Sequence, residues 1–208
     1  MAMIHRSLLI VLTLSVVGCG KAPSNDVPAA SQQALIHGEL TPSSYREAAA
    51  TVLAQAIAAM SDPAVTEQTL DKSVAQIETL MGLESKLSVD KSQLSDAELM
   101  STLGALYTRR AGLHPDNTEQ ASALASAGFR YLDRAISKYP NNITARINRG
   151  LTCASVPEFM NKTDVARDDL RWVVDSAEFA TLTPEVQARV KATLQEVEKR
   201  LGRGASRN

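Results

Sequence analysis

The chain has 208 residues, of which 44% are hydrophobic. That is room for one ordinary domain with a leader and a tether, and it excludes wholesale disorder. Aromatic residues are only 4% of the chain, too few for a β-sandwich, while the abundant Ala, Leu, Gln, Glu, Lys, Arg and Met lose little rotamer freedom in helices. The formal net charge of −1 gives no general attraction to nucleic acid or to an anionic membrane surface.

Residues 1–18 combine a basic start (Arg6), an apolar stretch from Leu8 to Val17 and small residues before Cys19, the pattern of a removable export signal. Ten apolar residues rise only about 15 Å as a helix, half the thickness of a bilayer core, so a stable span is not expected. The segment Val16-Val17-Gly18-Cys19 resembles the lipobox of bacterial lipoproteins. That resemblance implies that Cys19 becomes the lipidated first residue. It also implies anchoring by two or three acyl chains, which is effectively permanent. No Asp follows the cysteine, so the resemblance points to the periplasmic face of an outer membrane. Loss of residues 1–18 removes one of the 22 basic residues, Arg6, leaving 21 against 23 acidic ones and a net of −2. With Cys19 lipidated, Cys153 has no intramolecular partner, and neither a disulfide framework nor a thiolate metal site can form.

Residues 19–41 read as a flexible tether, residues 42–202 as an all-helical domain, and residues 203–208 as a disordered tail. Seven helical segments are expected. Thr41-Pro42 caps the first, whose stripe is Tyr45, Ala49, Val52, Leu53, Ala56, Ile57 and Met60. Asp62-Pro63 stops it. A second stripe (Leu70, Val74, Ile77, Met81) is closed by Gly82, and the stretch from Leu83 to Leu94 is ambiguous. Ser95 to Glu98 forms a capping box for the third segment, with Met100, Leu103, Leu106 and Tyr107 apolar. The fourth starts near Asn117 or Thr118 and carries Leu124, Gly128, Leu132, Ala135, Ile136 and Tyr139 before Pro140. Ile143 to Ala154 forms the fifth, ending at Pro157, and the sixth begins at Thr163 with Ala166, Leu170, Val173 and Val174. Thr183-Pro184 caps the seventh, which runs through Val186, Val190, Leu194, Val197 and Leu201 to Gly202.

Short connections between helices of similar length give antiparallel hairpins, stacked as a bundle or a solenoid. Met100-x2-Leu103-Gly104-x2-Tyr107 resembles the first helix of a tetratricopeptide repeat, with Met in place of the usual Trp. Gly128-x3-Leu132-x2-Ala135-x4-Pro140 is similar to that repeat's second helix. The next unit keeps Gly150 and Ala166-x3-Leu170, but Arg146, Arg149 and Cys153 fall at its large apolar positions. There the face Ile147-Gly150-Leu151-Ala154 makes the better core, which leaves two registers open. The resemblance covers about residues 96–176. It implies an all-α, short helical-hairpin array with a C-terminal capping helix, and first-helix side chains lining a concave groove that holds peptides.

Catalytic signatures are missing from the sequence. His37 and His114 have no metal-ligand spacing, no nucleophile elbow or phosphate loop occurs, and no cofactor, metal or nucleic acid is expected. His114 reads as a solvated loop residue, and Cys153 as a buried structural thiol. Asp164–Arg167 and Asp168–Arg171 read as surface ion pairs. One charge asymmetry stands out. Residues 109–149 hold seven basic against three acidic side chains, whereas 61–98 hold eight acidic against three basic. Arg109, Arg110, Arg146, Asn148 and Arg149, placed in the groove by the resemblance, form a candidate basic surface for an acidic or carboxylate-ended partner. Reversing the charge at Arg146 and Arg149 is expected to abolish capture without unfolding the domain. The expected role is a non-enzymatic, membrane-tethered adaptor that holds another envelope protein. The alternative is a small-molecule- or lipid-binding component of envelope transport, because some similar helical-repeat lipoproteins accompany solute transporters. That alternative requires an apolar internal pocket, which the Ala-rich first hairpin does not suggest.

Overall fold

The computed structural model describes residues 41–84 and 96–205. The export signal, Cys19, His37, the rest of the tether before Thr41, Ser95 and residues 206–208 lie outside the described residues, so the expectations for them are not addressed by the structure. Among the described residues there are seven α-helices: α1 (Pro42–Ser61), α2 (Glu67–Glu84), α3 (Asp96–Ala111), α4 (Thr118–Lys138), α5 (Ile143–Ser155), α6 (Thr163–Asp175) and α7 (Pro184–Ala205). Short 3₁₀ turns at Glu158–Met160 and Ala177–Thr181 lie between α5 and α6 and between α6 and α7. Among the described residues there is no strand.

The helix starts arise from local chemistry. Thr41 Oγ1 accepts from the Ser44 amide at 3.2 Å while the Ser44 hydroxyl accepts from the Thr41 amide at 3.1 Å, a reciprocal cap with proline next in the chain. Asn117 and Asn142 cap α4 and α5 in the same way, each accepting an amide three residues on. Two ends differ from the sequence expectation. Helix α2 continues past Gly82 to Glu84, and α7 past Gly202 to Ala205, so residues 203–205 belong to the helix and not to a tail. At both glycines an added Cβ would meet nothing within 4 Å, and each sits in an exposed turn whose helical hydrogen bonding proceeds without a side chain.

Consecutive helices form hairpins: α1 with α2, α3 with α4, α5 with α6. The hairpins then stack in sequence. Each first helix packs on the next first helix (α1 on α3, α3 on α5, α5 on α7), and each second helix packs on the first helix of the next hairpin or on α7. This nearest-neighbour order is that of a helical array closed by α7.

Glycines set the closest approach. A Cβ on Gly104 would stand 2.7 Å from the Gly128 carbonyl oxygen, and one on Gly128 would stand 2.6 Å from that of Gly104. Only a pair of glycines lets α3 and α4 cross there. Leu103, Leu132 and Ala135 are fully buried around the crossing. Tyr107 stacks on Tyr131 with centroids 5.7 Å apart and donates to Glu78 at 2.8 Å, joining α2, α3 and α4. In α5, a Cβ on Gly150 would lie 2.8 Å from the Leu170 side chain, so Gly150 occupies the place in the α5–α6 hairpin that Gly104 holds in the α3–α4 hairpin. Ile147 and Ala154 are buried as well. The two candidate registers of α5 are therefore both satisfied: the glycine faces α6, and the apolar stripe fills the core beside it.

Candidate functional site

If Gly150 matches Gly104, then Arg146 and Arg149 take the places of Met100 and Leu103, both of which are buried. The chain fills these positions with an ion cluster. Asp169 of α6 is fully buried. It accepts from Arg146 Nη1 at 2.8 Å, from Arg149 Nε at 2.6 Å and from Arg149 Nη2 at 3.0 Å. Arg149 also reaches Asp133 of α4 at 3.0 Å. The Arg146 guanidinium lies 4.5 Å from the Trp172 ring centroid, and its Nε donates to the Pro140 carbonyl at 2.8 Å. Burial alone would lower the pKa of Arg149, but hydrogen bonding and charge from Asp169 and Asp133 outweigh it and hold the group above its ordinary value.

Arg146 and Arg149 thus hold α5 to α6, and they are not free to receive a partner. Reversing their charge would set new carboxylates against buried Asp169, so the variant expected to spare folding would disturb it. Arg110 is also occupied, with Nε 2.8 Å from Asp71 and Nη2 3.6 Å from Glu67. His114 is not a solvated loop residue. Its Nε2 lies 2.9 Å from Glu67 and 3.2 Å from Gln120, tying the α3–α4 turn to α2. Arg167 pairs with Asp164 at 2.7 Å as expected, but Arg171 pairs with Glu198 of α7 at 2.6 Å and not with Asp168. Cys153 is buried, and burial pushes its thiol up to about 12.

The remaining two members of the expected basic surface, Arg109 and Asn148, line a cavity of about 440 Å³ on the side where first helices meet. Met60 of α1, Ala105 and Arg109 of α3, Leu151 of α5 and Arg189 of α7 all contribute to its wall, so every first helix of the array takes part. Ala121 and Ala125 of α4 form one flank, and Val156, Pro157, Phe159 and Met160 the rim, where Phe159 is 80% exposed. The hydrophobic core of the first hairpin and the core of α5–α7 share Ile57, which packs against both. This brings α1 towards the far end of the array and turns a groove into a cavity.

The charged groups of the wall have one sign. Asn148 is engaged across to α3, donating to Ser101 at 2.9 Å and to Thr102 at 3.3 Å. Arg109 touches the Asp62 carbonyl through Nη2 at 3.5 Å, while its Nε is buried with no acceptor among the described residues. Arg189 Nη1 is likewise buried and without an acceptor. Burial lowers the Arg189 guanidinium below its ordinary value, and no neighbouring acid counters that shift. Among the described residues lining the cavity there is no Asp or Glu.

Sequence reasoning missed Arg189, Phe159, Met60 and Met160. A signal existed for Arg189: it stands beside Val190 and three residues after Val186, on the edge of the apolar stripe of α7, where a solvated charge is out of place. The others are apolar residues that read as ordinary core. No family model, no curated protein and no solved structure matches the chain.

Proposed function

We propose that this chain is a lipid-anchored binding protein of the bacterial envelope, built as a tetratricopeptide-like array, whose cavity takes up a small and largely apolar molecule. One observation carries the reading. The wall joining α1, α3, α5 and α7 encloses about 440 Å³, inside the ~300–1,000 Å³ range of small-molecule sites. Such a pocket is what the ligand-binding alternative required, and the arginines assigned to a peptide surface are mostly occupied elsewhere. The anchor is Cys19, which is expected to face the periplasm from the outer membrane. The proposal includes no chemical step. Isolating the full-length chain from its native envelope and analysing it by native mass spectrometry tests it. A defined small molecule bound in stoichiometric amount is expected. Recovery of the chain without one, even at high yield, would count against it. Replacement of Cys19 by Ser is expected to abolish incorporation of a palmitate analogue and release the chain from the membrane fraction.

A second reading, the protein adaptor, draws on Phe159. An aromatic side chain 80% exposed at the cavity rim is a natural anchor for a protein surface. A stoichiometric envelope protein lost on Phe159→Ser would favour that reading.

A further inference from the structure

Resting on that small-molecule reading, we infer that the cavity is selective for an organic acid, with Arg109 and Arg189 holding its carboxylate and the alanine, leucine and methionine side chains of the wall enclosing its apolar body. The argument starts from the contrast among the arginines. Arg110, Arg146 and Arg149 each meet one or more carboxylates, at 2.8, 2.8 and 2.6 Å. Among the described residues Arg109 and Arg189 meet none, and Nε of one and Nη1 of the other are buried without a hydrogen-bond acceptor; Nε of Arg110 and of Arg200 also lack one, but neither of those residues lines the cavity. A buried donor without an acceptor is costly. Chains tolerate such groups where a ligand completes them.

The two donors belong to one enclosure. Arg109 comes from the last turn of α3 and Arg189 from α7, and both line the same cavity. A guanidinium presents paired N–H groups that match the two oxygens of a carboxylate. With no acid among the described lining residues, the charged lining is cationic, which suits an anionic head and disfavours cations. Ala105, Ala111, Ala121, Ala125, Leu151 and Met60 offer contacts that suit a hydrocarbon or aromatic body. Thr108, Thr118, Ser122, Asn148, Thr152 and Ser155 add neutral polar groups, but they form the smaller part of the wall. An organic acid with a short apolar body fits both demands.

The test uses the full chain in lipid nanodiscs with ¹³C-methyl-labelled methionine, titrated with hexanoate and, separately, hexan-1-ol. Met60 and Met160 line the cavity, whereas Met81 and Met100 do not, so the methyl signals report where binding occurs. Both probes are expected to shift Met60 and Met160. Hexanoate should bind at least about tenfold more tightly at equal free concentration, since a charge-assisted hydrogen bond is worth at least that factor. Arg189→Gln should erase the preference for hexanoate by weakening hexanoate far more than hexanol, and Arg189→Lys should retain part of it. Equal binding of the two probes, or a preference that survives Arg189→Gln, would overturn the acid selectivity and leave the cavity reading intact. If neither probe moves Met60 and Met160, the cavity reading fails with it. If a peptide ending in a free carboxylate shifts these methyls and hexanoate does not, the small-acid assignment is overturned in favour of a protein partner.

Discussion

Replacing Asp169 by Asn separates the structural role of the Arg146–Asp169–Arg149 cluster from any role in binding. The substitution keeps shape and volume. It also keeps an oxygen for Arg146 Nη1 and Arg149 Nη2, at 2.8 and 3.0 Å. It places an amide N–H against Arg149 Nε, which now stands 2.6 Å from a carboxylate oxygen, so two donors face each other. Arg146 loses its counter-charge, and Arg149 keeps only the more exposed Asp133. Breaking a fully buried pair costs about 3–5 kcal/mol. The arginine side chains are 17% and 18% exposed, and this partial access to water brings the expected loss to roughly 3 kcal/mol. With a urea slope of roughly 2 kcal/mol/M for a domain of this size, the unfolding midpoint tracked by circular dichroism should fall by about 1.5 M. A triple variant, Arg146→Met with Arg149→Leu and Asp169→Leu, supplies apolar side chains like those of Met100 and Leu103. It should regain most of that loss, because replacing a whole buried ion cluster by packed apolar groups is often neutral or better. An Asp169→Asn variant within about 1 kcal/mol of the parent, or a triple variant no more stable than the single one, would refute the assignment.

The glycines should split by sign. Gly104→Ala drives a methyl to 2.7 Å from the Gly128 carbonyl and should lose about 1–2 kcal/mol after the gain in helix propensity is included. Gly82→Ala and Gly202→Ala, where a Cβ meets nothing within 4 Å, should gain up to about 1 kcal/mol in the same denaturation assay. Cys153 gives a pH dependence. Its folded pKa of about 12 exceeds the ordinary value of 9.0, so the folded state keeps its proton more tightly than the unfolded state. Stability is then complete below about pH 9 and is lost as pH rises towards 12. Urea midpoints between about pH 8 and 11 should show this fall, with a shallower one in Cys153→Ala. Finally, Ala121→Leu adds volume to the cavity wall. It should leave stability unchanged or raise it by up to about 1 kcal/mol while weakening hexanol binding, whereas a leucine forced into a closed helix crossing would lose about 1–3 kcal/mol.

Much of the helical plan was legible because its signals are local. Thr41-Pro42, Asn117 and Asp62-Pro63 mark helix ends through hydrogen bonds or ring sterics within four residues, and the structure begins or ends its helices there. Gly82 and Gly202 misled for a related reason. A glycine ends a helix only when the chain turns there, and turning is decided by the next few residues and by packing. The pairing of Gly104 with Gly128 was legible as a motif because both residues lie on adjacent helices of one hairpin. The ion cluster was not. A charge count over residues 109–149 sees Arg146 and Arg149 but not Asp169, which lies 23 and 20 residues further on and is brought back by the α5–α6 hairpin. An excess of basic residues in a sequence window is therefore a poor guide to free positive charge in a helical array, where each cation can find its acid on the next helix.

The cavity shows a second limit of the same kind. Alanine-rich helices suggest close packing, since small side chains allow axes to approach. In α3 and α4 the approach is real at Gly104 and Gly128, but it holds only at the crossing. Helix axes diverge away from a crossing point, and small side chains there leave space that larger ones would have filled. Ala111 on α3 and Ala121 on α4 stand about two turns from the glycine pair and line the cavity, and Ala105 and Ala125 extend the wall back towards the crossing. Residue size reports packing only once the distance between axes is known, and that distance is set by one pair of glycines and by how the hairpins stack. The same alanines therefore mean tight contact or open volume according to their separation from the crossing. In this chain those on the cavity wall provide the room into which Arg109 and Arg189 are turned.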